Sequence, residues 1–101
     1  MDHINEIAPE EVEKLVDKEN VVIIDVREDD EVAQGMIENA KHIALQNIPY
    51  SKDELDKSKD YIFVCRSGGR SMTAASYMDE HGFKVSNMTG GMLEWKGEVI
   101  I

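Results

Sequence analysis

The chain has one cysteine, and its neighbours are the ones a reactive thiol needs. The apolar run Tyr61-Ile62-Phe63-Val64 ends on Cys65, and Arg66-Ser67-Gly68-Gly69-Arg70 leads into a helical pattern that opens at Ser71. That order puts a thiol at the end of a buried strand and at the mouth of a helix. Backbone N–H groups are unsatisfied there and the helix dipole is positive. A thiolate, or an anion bonded to its sulfur, is stabilised in such a place. Gly68 and Gly69 tolerate the positive-φ conformations that turn successive N–H groups inward around one atom. Arg66 and Arg70 add two positive charges. Both effects lower the thiol pKa below its free value of about 8.5. A lone cysteine is otherwise most often a small buried hydrophobe; the strand, loop and helix around this one favour the nucleophile.

The remaining titratable residues read more plainly. Asp25 and Arg27 flank the end of the run Val21-Val22-Ile23-Ile24, where an ion pair or loop brace fits better than substrate contact. His42 reads as an edge-strand residue. His3 and His81 read as solvent-exposed, and the three are too scattered for a metal site. No metal and no cofactor is expected. The six methionines are core filler, and Trp95 is packed. Glu28-Asp29-Asp30-Glu31 reads as a solvated helix start that complements its dipole.

The elements that must hold the thiol follow from periodicity. Pro9 suits a first helical position, and Val12, Leu15 and Val16 continue an amphipathic helix over roughly 9–19. The β-branched run 21–24 predicts a strand buried on both faces. A short helix over 31–34 ends near Gly35, and a short strand lies within 40–45. Ser51-Lys52-Asp53-Glu54 matches a capping box, which predicts a two-turn helix from Ser51. Residues 61–64 form a second strand and 71–80 a helix, with Met72, Ala75 and Met78 on one side and Gly82 at its end. A further strand runs from Phe83 towards Met88. Gly90-Gly91 is a turn, and 92–95 begins a last helix. This alternation predicts an α/β domain with a parallel sheet covered on both faces. Ligands bind such sheets beyond the carboxyl ends of the strands, which is where Cys65 lies.

Composition bounds the answer. A chain of 101 residues suits one domain and buries about 60–65% of its unfolded surface. One cysteine excludes an intramolecular disulfide and a Cys-x-x-Cys pair. A thiol kept free fits a reducing compartment. No secretory signal or membrane-spanning run is visible, so the cytoplasm is the expected location. The net charge is −10, from 11 basic and 21 acidic residues, which opposes binding to nucleic acid and to anionic membranes. Attraction of an anion must therefore be local, supplied by the loop that carries Arg66 and Arg70.

Three blocks taken together resemble a single-domain rhodanese, a sulfurtransferase, over nearly the whole of residues 1–101. The first is Val21-Val22-Ile23-Ile24-Asp25-Val26-Arg27-Glu28, continued by Glu31-Val32-Ala33-Gln34-Gly35-Met36-Ile37 and Asn39-Ala40. The second is Cys65-Arg66-Ser67-Gly68-Gly69-Arg70-Ser71. The third is Val85-Ser86-Asn87-Met88-Thr89-Gly90-Gly91-Met92-Leu93-Glu94-Trp95. Met36 departs from the family, which often has His there; the change concerns local packing. The resemblance implies a rhodanese-like fold with a central, mostly parallel five-stranded sheet between helices. It implies that Cys65 takes a sulfane sulfur as a persulfide from a small donor such as thiosulfate. The sulfur then passes to cyanide, to a thiol or to a protein acceptor. The loop residues Arg66, Ser67, Gly68, Gly69, Arg70 and Ser71 would bind the donor, Arg70 foremost and Arg66 second, with Asp25 and Arg27 in support.

Two other classes remain in view. A cysteine phosphatase or arsenate reductase uses a loop of the form Cys-x5-Arg. Here Cys65 to Arg70 is one residue shorter, which suits a single sulfur better than a phosphoryl group. Val64 stands where tyrosine phosphatases usually have His, and no resolving cysteine is present. The other class keeps the fold as a binding module, or as a persulfide carrier with low turnover. The intact loop argues against an inactive module but does not separate a carrier from a general sulfurtransferase.

Overall fold

The computed structural model describes residues 4–101; the expected exposure of His3 lies outside them. Five strands form one sheet: β1 (Asn5–Ile7), β2 (Val21–Asp25), β4 (Lys41–His42), β5 (Asp60–Val64) and β6 (Lys84–Met88). Their order is β1-β6-β5-β2-β4, and every neighbouring pair is parallel. The sheet is therefore wholly parallel rather than mostly so. A two-stranded antiparallel ribbon joins β3 (Met36–Ile37) to β7 (Val99–Ile100).

The two central strands carry the core because both their faces are covered. Tyr61, Phe63, Ile24 and Val26 pack one way, against Ile48 of α3 (Ile48–Ser51) and Ala74, Ala75 and Met78 of α4 (Gly69–Glu80). Ile23, Ile62, Val64 and Met88 pack the other way, against Val12 of α1 (Pro9–Glu13) and the half-buried Leu15, Met92 and Trp95. The continuous apolar runs of β2 and β5 thus divide by alternation between two cores. Each large side chain removed from water contributes about 1.5–3 kcal/mol.

Several local expectations are corrected. The first helix stops at Glu13, not 19. Lys14, Leu15 and Lys18 continue it as turns, each N–H donating to the carbonyl three residues back. Leu15 and Val16 still reach the core this way. Ser51 does not start a helix: α3 begins at Ile48, with Pro49 in its first turn, and a short 3-10 turn covers Lys52–Glu54. Proline's fixed φ sets that start more firmly than a hydroxyl cap would. The last helix, expected over 92–95, is a 3-10 turn over Gly91–Glu94. The short helix α2 (Asp29–Val32) begins two residues earlier than its pattern suggested. Helix α4 ends in a Schellman arrangement: Gly82, at φ 88°, donates to the Asp79 carbonyl and Phe83 to that of Met78.

Candidate active site

The carboxyl end of β5 delivers Cys65, which is buried, with 1% of its surface exposed. The loop after it is fastened from the far side of the sheet. The N–H groups of Met92 and Leu93 donate to the carbonyls of Cys65 and Arg66 at 2.9 and 3.0 Å. Gly91 makes this approach possible. Its φ is 60°, and a Cβ there would run into the Arg66 carbonyl. Gly68, at φ 116°, turns the chain directly into α4 without a polar cap, so the helix starts at Gly69 rather than Ser71.

The sulfur sits in a hydrogen-bonded pocket. Gly68 N–H donates to Sγ at 3.1 Å, and Ser71 Oγ lies 3.3 Å away. Burial pushes the Cys65 thiol up. The Ser71 hydroxyl and the amides of Ser71, Gly68 and Ser67 more than offset it, and the thiol ends below its ordinary value. The amides of Ser71, Gly68 and Ser67 thus act on the sulfur from the loop and the first turn of α4. Ser71 is itself fully buried and donates to Oδ1 of the buried Asn87, whose Nδ2 donates to the Gly68 carbonyl at 3.3 Å.

The arginines divide by partner. Arg70 sends both terminal nitrogens to the Glu31 carboxylate of α2, at 2.7 and 2.9 Å. The same carboxylate accepts the Glu28 N–H at 2.9 Å. The Arg70 guanidinium, then that N–H, hold the Glu31 carboxyl down to about 2. The bonds to Glu31 hold Arg70 firmly protonated. Arg27 is buried and grips Asp25 with Nε at 3.0 Å and Nη2 at 2.8 Å, while Nη2 also donates to the Gly35 carbonyl at 2.8 Å. That pair ties the end of β2 to Gly35, beyond α2, and neither member hydrogen-bonds the sulfur. His42, on the edge strand β4, has Nε2 2.7 Å from the Arg27 carbonyl. Arg66 is exposed and, among the described residues, makes no ion pair. It borders a cleft of about 420 Å³ shared with Arg27, Asp30, Glu31, Gln34 and Gly35. A groove of about 470 Å³ lies at the opposite end of the sheet, around Lys18, Asp60 and Lys84, away from the cysteine.

Two residues of this site escaped the sequence reading. Glu31 lies in an acidic run that reads as a solvated helix start, although Glu28-x-x-Glu31 has capping-box spacing. Asn87 lies at the buried carboxyl end of β6, where an amide must find partners; that polar position was the signal in the sequence. No group of three or more His, Cys, Asp or Glu side chains able to hold a metal ion is found among the described residues.

Fold and site together define an α/β domain that holds one buried thiol under amide and hydroxyl donors at a strand's carboxyl end. Residues 8–98 match the rhodanese-like domain family, and the chain belongs to it. It is 54% identical over 86 residues to YtwF of Bacillus subtilis, a protein provisionally described as a sulfurtransferase, covering 85% of this chain and 84% of that one. It is 38% identical over 94 residues to a sulfurtransferase of Allochromatium vinosum, covering 91% and 88%. The thiosulfate sulfurtransferase GlpE of Coxiella burnetii is 34% identical over 92 residues, covering 90% and 86%. Among solved structures, a rhodanese-like domain protein of Staphylococcus aureus superposes with a TM-score of 0.89 at 34% identity, covering 97% of this chain and 98% of that one. The five-stranded sheet between helices is that of the family.

Proposed function

We propose that the chain is a sulfurtransferase acting through a persulfide on Cys65, and that its 101 residues work as one domain. The observation that carries this reading is the sulfur's own shell: Gly68 N–H and Ser71 Oγ within 3.3 Å of Sγ, and a thiol made more acidic than usual. A thiolate needs no adjacent base to attack. With thiosulfate as donor, the thiolate attacks the outer sulfur, the donor's S–S bond breaks, and sulfite leaves with the electron pair. An acceptor nucleophile, cyanide or a thiol, then attacks the terminal sulfur and the Cys65 thiolate departs. The loop amides stabilise charge on the sulfur in both steps. No cofactor enters either step. Because Glu31 occupies Arg70, Arg66 is the group left to meet the donor's anionic end. A reducing, cytoplasmic setting suits the free thiol.

A second reading is a persulfide carrier loaded by a partner protein, with incidental turnover on thiosulfate. The 1% exposure of Cys65 and the neutralised Arg70 favour it. Intact-mass spectrometry after incubation with thiosulfate tests the proposal: one sulfur atom is added, and none in Cys65→Ser. Sulfur transfer by that variant at the unaltered rate would overturn it. Loading by a small persulfide but not by thiosulfate would select the carrier.

A further inference from the structure

We propose that Asn87 is a positioning residue that sets how readily Cys65 ionises, by competing for the single hydrogen of Ser71. The proposal rests on Cys65 being the reacting thiol and adds a group that does not touch the sulfur.

A serine hydroxyl has one hydrogen to give. Ser71 Oγ has two buried neighbours, Cys65 Sγ at 3.3 Å and Asn87 Oδ1. The Asn87 amide is fixed in sense, because its other terminal atom faces the Gly68 carbonyl and must be the nitrogen. Oδ1 is therefore the acceptor turned towards Ser71. With the thiol protonated, every group is matched: S–H donates to Oγ, and O–H donates to Asn87. With a thiolate, the sulfur becomes an acceptor only. The hydroxyl hydrogen must then swing to sulfur and leave Oδ1 unpaired, or stay and turn a lone pair towards a negative sulfur. Either outcome has a cost, because Cys65, Ser71 and Asn87 are 1%, 0% and 3% exposed and no water competes easily. Asn87 thus holds the thiol form, and the three amides pull the other way.

The charged groups around the pocket are few. Arg70 of α4 is close enough for its charge and the thiol's to interact, with Glu31 of α2 bound to it and Glu28 beside that pair, and Arg66 lies in the loop itself. From the end of β2 and the loop just after it come Asp25 and Arg27, paired with each other. The 91–94 turn presents main-chain N–H groups to the loop carbonyls. None of these is altered by a change at position 87.

The test is the titration of Cys65, followed without any sulfur donor. Cys65 is the only cysteine, so thiolate absorbance and alkylation by iodoacetamide both report it alone. Asn87→Leu keeps the branched shape and releases the Ser71 hydrogen to sulfur. The midpoint falls, and alkylation below it quickens about threefold. A hydrogen bond to charge supports roughly tenfold more thiolate, and lowered nucleophilicity returns about half of that logarithm. In a Ser71→Ala background the same substitution leaves the midpoint unchanged. Asn87→Ala serves if the leucine does not fold. In the unaltered chain, the Asn87 carboxamide carbon resonance moves with the thiol titration. A midpoint that stays or rises in Asn87→Leu, an equal shift without Ser71, or a flat Asn87 resonance would each overturn the proposal. All of them can be read even if the protein transfers no sulfur.

Discussion

At the scale of single residues, the site works by hydrogen-bond donation against burial. Ser71→Ala removes the hydroxyl that can turn its hydrogen to a thiolate, so the thiol midpoint rises, and rises further where Asn87 no longer competes for that hydrogen. The pH–rate profile of alkylation checks this: reactivity climbs with pH through the thiol pKa, and the whole curve moves to higher pH in the variant. The arginines predict a contrast. Arg66→Ala weakens use of thiosulfate about tenfold while leaving the melting temperature nearly unaltered, because Arg66 is exposed and, among the described residues, makes no ion pair. Arg70→Ala lowers stability as well, because it strands the Glu31 carboxylate. Kinetics and thermal melts on the two variants separate these outcomes. The place of Cys65 at the end of a strand and the pairing of Asp25 with Arg27 were legible in the sequence because residue type and local spacing define them. Glu31 and Asn87 were not. Their partners lie 39 and 16 positions away, and such pairings exist only once strands and helices have been placed.

At the scale of elements, the loop depends on being fastened from two sides. The 91–94 turn holds the carbonyls of Cys65 and Arg66, and Gly91→Ala forces that turn away. A destabilisation of about 3 kcal/mol or more is expected in urea unfolding, together with loss of sulfur loading, since both a positive φ and a close backbone approach are violated. On the other side, the contact of Glu31 with Arg70 ties α2 to α4. The Glu31 carboxyl is held at about 2, below its ordinary 4.5. Its contribution is therefore complete above pH 4.5 and fades as pH falls through 2. Both side chains are partly exposed, so solvent screening leaves about 1 kcal/mol. Glu31→Gln should lose that amount near neutral pH and match the unaltered chain once the medium is acid enough. Urea midpoints measured across that range decide it. Periodicity found the central strands and α4 because these are long or uniformly apolar. It overran α1, where the apolar spacing continues through turns, and it missed β1, β3 and β7, which are two or three residues long.

At the scale of the whole molecule, an acidic body carries one small basic mouth. The net charge of −10 repels a thiosulfate dianion before Arg66 can act on it. The rate of loading at limiting thiosulfate should therefore rise, about twofold or more, as an inert salt shortens the Debye length to about 8 Å. Stopped-flow loading at graded ionic strength checks the sign; a fall would mean that the mouth, not the body, governs approach. The parallel sheet carries another implication. Asn5 of β1 takes its place beside Ser86 of β6, its only neighbour in the sheet. A ribosome adding about 5–20 residues each second releases the first of these segments several seconds before the second exists. The β1 segment must then wait, exposed to chaperones and proteases, until β6 has been made.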